Sequence, residues 1–377
     1  MSSSDKGEPR RPAGLERPPA PAEETMRIAT LYGPRDFRVE EWRKPRVASE
    51  DGVLVRLEAV AVCGTDLHYW EGRGQIAGIP ITFPVPGGVG HEFAGEVVAV
   101  GPRVTRVKVG DRVAIDPLES SACGLCFYCR MGKNNHCEQP HMGEIFGFAQ
   151  YLPFSERGLY RLPDHVSMEE GSMTAGFACS VHGVRRGITP GDTVAVLGSG
   201  RLGLFAIAAA KYLGASKVIA TYKYDFQAGM AEACGADVAL RGTDAGVEEQ
   251  IKNHAEGRGP DIVIETVGGW GNTVQQAISV VRSFGTAVIL GTFNDKVAID
   301  MWQAMYKDLT CIVPYTNCRS GSRSDFELAL EMIAKGKLPS KEMITHRLPL
   351  EEIQKGLELM AHKDAGPRKV VQVVIKP

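Results

Sequence analysis

Hydrophobic and polar positions change rhythm along this chain. From Met26 to about Leu162, short β-rich runs such as "VLVRLEAVAVCG", "FAGEVVAVG" and "DRVAIDPL" are separated by Gly and Pro. Such runs predict an irregular all-β domain with barrel-like closure. After about Gly176 the apolar runs lose their alternation. "TVAVLG", "KVIATY", "DVAL", "DIVIETVG" and "GTAVILG" alternate with helical stretches such as "RLGLFAIAAAKYLG" and "TVQQAISVVRSF". Near-continuous apolar strands between helices predict a doubly wound parallel sheet covered on both faces. The last segment carries helical "SDFELALEMIAKG" and "LEEIQKGLELMAH", then strand-like "KVVQVVIK". The fold class is therefore α/β, with a β-rich domain over 26–175, a parallel-sheet domain over 176–314, and a return to the first domain over 315–377.

Residues 1–25, rich in Pro, Ser and charge, carry almost no large apolar side chains. They bury too little surface to offset the entropy of ordering and are expected to form a disordered tail. Met26 opens the folded texture and is a candidate for the native start. The chain is 44% apolar and 23% charged, the composition of a globular protein with a full core. A net charge of -2 leaves no electrostatic footprint for nucleic acid or an anionic membrane. The longest apolar stretch, "LGLFAIAAAKYLGA", is interrupted by Lys211 and is too short to span a bilayer. No basic-then-apolar leader opens the chain, so a cytoplasmic protein is expected.

"TVAVLGSGRLGLFAIAAAKYLGA" sets Gly198, Gly200 and Gly203 in a G-x-G-x-x-G pattern, with Arg201 and Leu202 inside it. A strand precedes the pattern and a helix follows it, the context in which such glycines let a backbone approach a pyrophosphate. Where the next strand ends, dinucleotide folds that take NAD place an Asp or Glu on the ribose. Here that end carries Tyr222 and Lys223, which tolerate and attract a 2′-phosphate, so NADP is favoured over NAD. NAD stays open if Lys223 faces solvent and Asp225 reaches the ribose. Thr266, Gly268 and Gly291, from "DIVIETVG" and "GTAVILG", complete the candidate cofactor-binding set.

Nine cysteines are an odd number for a disulfide framework, and four of them crowd into fifteen residues. Cys123, Cys126, Cys129 and Cys137 have the spacing C-x2-C-x2-C-x7-C, which can close a tetrahedron around a structural zinc. A second candidate joins Cys63 of "CGTDLHYWEGRG" to His91 and Glu92 of "GGVGHEFAGEVV". Three such ligands leave a fourth position for water or substrate, as a catalytic zinc requires. From the residues alone, a buried Cys and a solvent-facing His-Glu pair is an equal alternative.

The order "CGTDLH", "GHEFAGEVVAVG", "VKVGDRVA", the four-cysteine lobe and "VLGSGRLG" resembles the zinc-dependent medium-chain dehydrogenases, near the sorbitol and threonine dehydrogenase branch. The resemblance covers about Met26 to Pro377. It implies a GroES-like catalytic domain interrupted by a Rossmann domain, with the active site in the cleft between them. It also implies catalytic zinc on Cys63, His91 and Glu92, a proton relay through Thr65 and His68, and structural zinc on the four cysteines. Two Zn2+ per chain, an NAD(P) cofactor, a small alcohol or ketone substrate and a homodimer or homotetramer follow. Tyr69, Trp70 and Phe293 are candidate pocket walls, and Asp66 is expected to brace its loop by hydrogen bonds. One departure stands out. Where many relatives carry a further zinc ligand, in a stretch resembling "EPLACALHGV", this chain has "TAGFACSVHGV" with Ala175. Either Glu92 completes the site, or Cys179 substitutes, or the metal is lost. A zinc-independent reductase and a non-catalytic nucleotide-binding protein are the rival readings.

Overall fold

The computed structural model describes residues 24–47, 49–73, 75–76, 79–80, 82–141, 143, 146–269, 271–293, 295–320, 322–363 and 369–377. Residues 1–23 of the expected tail lie outside the described residues, while Thr25 at its end already opens a strand.

The first half contains β1 (Thr25–Gly33), β2 (Asp36–Arg43), β3 (Gly52–Ala61), α1 (Gly64–Trp70), β4 (Phe93–Val100), β5 (Arg112–Ile115), β6 (Tyr151–Ser155) and β7 (Leu159–Arg161). A long buried helix, α2 (Thr174–Gly187), leads into the second half. There, β8 (Thr193–Leu197), α3 (Arg201–Tyr212), β9 (Lys217–Tyr222), β10 (Val238–Arg241), β11 (Ile262–Glu265), α4 (Thr273–Val280), β12 (Thr286–Ile289), α5 (Met301–Tyr306) and β13 (Thr310–Ile312) alternate. The chain ends with α6 (Asp325–Ala334), β14 (Ile344–Pro349), α7 (Ile353–Ala361) and β15 (Gln372–Lys376).

β3 is the hub of a mixed sheet, whose order is β14-β15-β3-β4-β5-β7, with β6 also paired to β3; β14 and β15 pair parallel and the other strands antiparallel. β3 is apolar except at the half-exposed Arg56 and Glu58, and Val53, Val55, Ala59, Val60 and Ala61 are fully buried. Val374 and Ile375 of β15 pair with Ala61 and Val60, so the C-terminal strand closes onto the first domain.

The second sheet has the order β10-β9-β8-β11-β12-β13, and every pairing in it is parallel. Its central strand shows why the sequence lost its alternation: Val194, Ala195, Val196 and Leu197 are all at most 1% exposed. Helices on both faces remove both sides of the strand from water. Each large apolar side chain so buried contributes about 1.5–3 kcal/mol. Strand order reverses between β8 and β11, and ligands of such sheets bind at the carboxyl ends beside that reversal.

α2 crosses the expected boundary at 175/176 and is shared by the two halves. It packs on α3 and α6, and its apolar residues lie in one core with Ala59, Ala94, Val194 and Phe326. A buried polar knot fixes α2 to α6. Asp325, with no exposure, accepts from His182 Nδ1 at 2.8 Å, from Arg185 Nη1 at 2.8 Å and from the Cys318 amide at 3.1 Å. Burial disfavours charge on the His182 ring, but the partners Asp325 and Cys318 outweigh it and raise its pKa to about 9. The ring is therefore a cation at neutral pH, and the knot is a closed ion-paired network.

Candidate active site and metal centres

Cys63 sits at the N-terminus of α1, where its amide donates to Asp66 Oδ2 at 2.8 Å. Asp66 is 1% exposed and holds this turn in place, the bracing role expected of it. Thr65 and His68 lie three residues apart on α1, hence on one face, and both line the cleft between the two halves. Thr65 is exposed to that cleft. Burial lowers the pKa of the half-buried His68 ring below its ordinary value, so the ring is neutral at pH 7. Its Nδ1 is buried without a partner. Tyr69 and Phe293 line the cleft, but Trp70 does not. Trp70 packs into the β-domain core and donates its indole N–H to Gln354 Oε1 at 2.9 Å. Its aromatic bulk served the core, a choice that composition does not reveal.

The 28-residue gap between Cys63 and His91 is closed by strand pairing. Val60 of β3 lies opposite Phe93 of β4, and the Ala61 amide donates to the Glu92 carbonyl at 2.8 Å. Residues just beyond Ala61 and just before Phe93 therefore meet. Cys63 Sγ lies 3.4 Å from His91 Nε2. The donor atoms of Cys63, His91 and Glu92 all fall within 4.8 Å of one another. His91 Nδ1 is 2.7 Å from the Val89 carbonyl. A carbonyl only accepts, so Nδ1 carries a hydrogen and Nε2 is the ring nitrogen turned toward the cluster. That backbone contact fixes the orientation of the ring, as is common for histidines that bind metals. Burial opposes charge on His91, yet Cys63, Asp66 and Glu92 outweigh it and hold its pKa well above the usual value. The cluster gathers positive charge. A cysteine sulfur, an imidazole nitrogen and a carboxylate are a donor set that fits a zinc ion with room for a fourth ligand.

Ala175 offers the cleft no donor. Cys179 is outside the cluster: its thiol donates to the Ala175 carbonyl, and burial pushes its pKa up, so it keeps its proton. Glu92, 4% exposed, instead forms an ion pair with Arg201 Nη2.

The four-cysteine lobe is built by backbone amides pointing at sulfur. Leu125 and Cys126 donate to Cys123 Sγ at 3.4 and 3.3 Å, and Cys123 donates to Cys137 Sγ at 3.3 Å. The amides of Leu125 and Cys126 lower the Cys123 pKa to about 6. All four sulfurs lie within 4.8 Å of one another, a donor set that suits a closed tetrahedral zinc site.

Gly198, Gly200, Arg201 and Leu202 line the same cleft at the start of α3. A Cβ on Gly203 would overlap the Gly198 carbonyl, so glycine is required for helix and strand to pack this closely. Thr266 Oγ1 donates to the carbonyls of Leu197 and Gly198 at 2.8 and 2.9 Å. Glu265 is an organiser that sequence reasoning missed. Fully buried at the end of β11, it accepts from the amides of Val267, Gly268 and Gly291 and from Thr273. Its only signal was a carboxylate ending an apolar strand.

Tyr222 ends β9 opposite Arg241 of β10. Arg241, also missed, stacks 5.6 Å over the Tyr222 ring and pairs with Asp225. Lys223 is exposed, with its Nζ 5.2 Å over the Tyr224 ring. The strand end thus carries two cations, and its nearest carboxylate is already engaged.

The family model "Alcohol dehydrogenase GroES-like domain" matches residues 49–164, and "Zinc-binding dehydrogenase" matches 202–335. Sorbitol dehydrogenase of Bombyx mori is 31% identical over 340 residues, 88% of this chain and 94% of that protein. The chain belongs to the zinc-dependent medium-chain dehydrogenase superfamily. Erythritol/L-threitol dehydrogenase of Mycolicibacterium smegmatis is 32% identical over 365 residues, covering 90% of this chain and 95% of that one. A zinc-binding dehydrogenase of Sinorhizobium meliloti 1021, solved bound to NADP, superimposes with a TM-score of 0.80 at 28% identity. That match covers 94% of this chain and all of the other. This dehydrogenase is an NAD(P)-dependent, zinc-binding oxidoreductase acting on CH–OH groups. Among the described residues, no helix is long and apolar enough to cross a membrane.

Proposed function

We propose that this dehydrogenase interconverts a secondary alcohol or polyol with its ketone, using NADP in preference to NAD, with one catalytic and one structural zinc per chain. The reading is carried by one observation: Cys63 Sγ and His91 Nε2 lie 3.4 Å apart, beside Thr65, on a cleft shared with the glycine-rich loop. When bound, zinc on Cys63, His91 and Glu92 supplies a Lewis acid that acidifies the alcohol, and the nicotinamide supplies the hydride acceptor. Thr65 takes up the hydroxyl proton through its exposed Oγ1. His68, neutral and one turn along α1, accepts it in turn and releases it toward solvent. Asp66 keeps both on the cleft face by fixing the Cys63 turn. The sorbitol and erythritol/L-threitol dehydrogenase relatives support a polyol as substrate class.

Preference for NADP is supported by Lys223 and Arg241 at the strand end where a 2′-phosphate would lie. Charge-assisted hydrogen bonds contribute about 1.5–3 kcal/mol each. The Lys223→Asp, Arg241→Gln double variant is expected to lose roughly 100-fold in the ratio of kcat/KM for NADP over NAD. An unchanged ratio would mean that Lys223 and Arg241 do not set the cofactor preference, and a wild-type ratio below one would return the preference to NAD.

A homodimer or homotetramer is supported by the open edge of the parallel sheet. β13 ends the sheet order, and beside it α5 exposes Met301, Trp302, Met305 and Tyr306 at 62–81%. Bare strand edges and contiguous apolar patches mark association surfaces. Sedimentation equilibrium is expected to give a multiple of the chain mass; the mass of one chain at working concentration would overturn this.

A further inference from the structure

Arg201 is the second residue after Gly198-Ser199 to enter the dinucleotide loop, and it opens α3. Its side chain reaches across the cleft to Glu92, a donor of the proposed catalytic metal cluster 109 residues away. Side-chain exposure is 9% for Arg201 and 6% for Glu92, so the pair is effectively out of water. The guanidinium lies 5.1 Å over the Phe205 ring, and its Nε is buried without a partner. Space for the pair is made on α2: a Cβ on Gly176 would fall on Arg201 Nη2 and 2.8 Å from Glu92 Oε1. The neighbouring residue is Ala175, so this wall of the metal pocket contributes room for an arginine in place of a ligand.

We infer that Arg201 is a positioning residue that links nucleotide binding to metal binding by competing with the metal for Glu92. This rests on the proposed zinc site at Cys63, His91 and Glu92. A buried guanidinium sharing a carboxylate with a metal cluster opposes the metal in two ways. It takes up part of the carboxylate charge, and it repels a dication across a short, poorly screened distance. A dinucleotide brings its pyrophosphate to the N-terminus of α3, which Arg201 itself begins. That anion offers the guanidinium, including its unpartnered Nε, a second source of negative charge, and so frees Glu92. Nucleotide and metal then favour one another, and because linkage is reciprocal each raises the affinity of the other by the same factor. Typical couplings of this kind are about 5- to 150-fold.

The test is release of zinc from the purified holoenzyme into a chromophoric chelator, with and without saturating NADP, for wild type, Arg201→Gln, Arg201→Lys and Cys63→Ala. The zinc missing from Cys63→Ala identifies the release phase of the cleft site. In wild type that phase is expected to slow about tenfold when NADP is added. In Arg201→Gln it is expected to be slow already and insensitive to NADP, while Arg201→Lys, which keeps the charge, retains NADP sensitivity. An equal NADP effect in Arg201→Gln and wild type overturns the linkage. Faster zinc release from Arg201→Gln also overturns it, because Arg201 would then be holding Glu92 for the metal. If Cys63→Ala releases as much zinc as wild type, the catalytic-zinc reading itself fails, an outcome distinct from either of these.

Discussion

Cys63→Ala is expected to lower zinc from two per chain to one and kcat/KM by about 10³-fold, the several kcal/mol that a Lewis acid contributes to alcohol oxidation. The remaining zinc should stay on the lobe. Its four sulfurs come from residues 123–137 and are held by amides of that same segment, with no contribution from α1. The fold should survive, because the bond that fixes the turn runs from the Cys63 amide to Asp66 and does not need the thiol. Elemental analysis and thermal unfolding on the same samples read metal content and folding separately. One zinc in both wild type and variant would mean that the Cys63–His91–Glu92 cluster holds none. The same activity in both would remove that cluster from the reaction.

Thr65→Val is expected to reduce kcat by about 10²–10³-fold while leaving two zincs per chain and NADP affinity unchanged, within the range by which positioned proton transfer accelerates reactions. Valine keeps the shape of threonine and loses only the hydroxyl. Thr65 is exposed to the cleft, so the change leaves no buried group unpaired. Thr65→Ser should recover most of the activity. Burial already holds His68 neutral at pH 7, ready to accept the proton from Thr65, so loss of the hydroxyl breaks the route at its first step. A Thr65→Val enzyme within a factor of about two of wild type would place the proton path elsewhere.

How much of this was legible in the residues follows their separation along the chain. The strand–loop–helix setting of Gly198, Gly200 and Gly203 and the lobe of Cys123, Cys126, Cys129 and Cys137 are local. Their chemistry is complete within one short segment, and spacing alone constrains it. The change from short Gly/Pro-bounded β runs to uninterrupted apolar strands also read correctly, because the period of burial is imposed residue by residue. Trp70 read wrongly as a pocket wall, since an aromatic side chain is equally at home in a core and in a cleft.

What the sequence by itself determined is therefore the fold class, the strand–loop–helix of the glycine pattern and the thiol lobe; the catalytic residues it proposed only by resemblance. Only the tertiary structure decided which of them meet. The β3–β4 pairing brings His91 Nε2 to Cys63 Sγ, the β9–β10 register sets Arg241 against Tyr222, and the cleft carries Arg201 onto Glu92. The physical reason is that short-range signals arise from backbone geometry and burial period, which neighbouring residues share. A charge pair across 109 residues leaves no periodic trace and exists only once two sheets have been packed around α2.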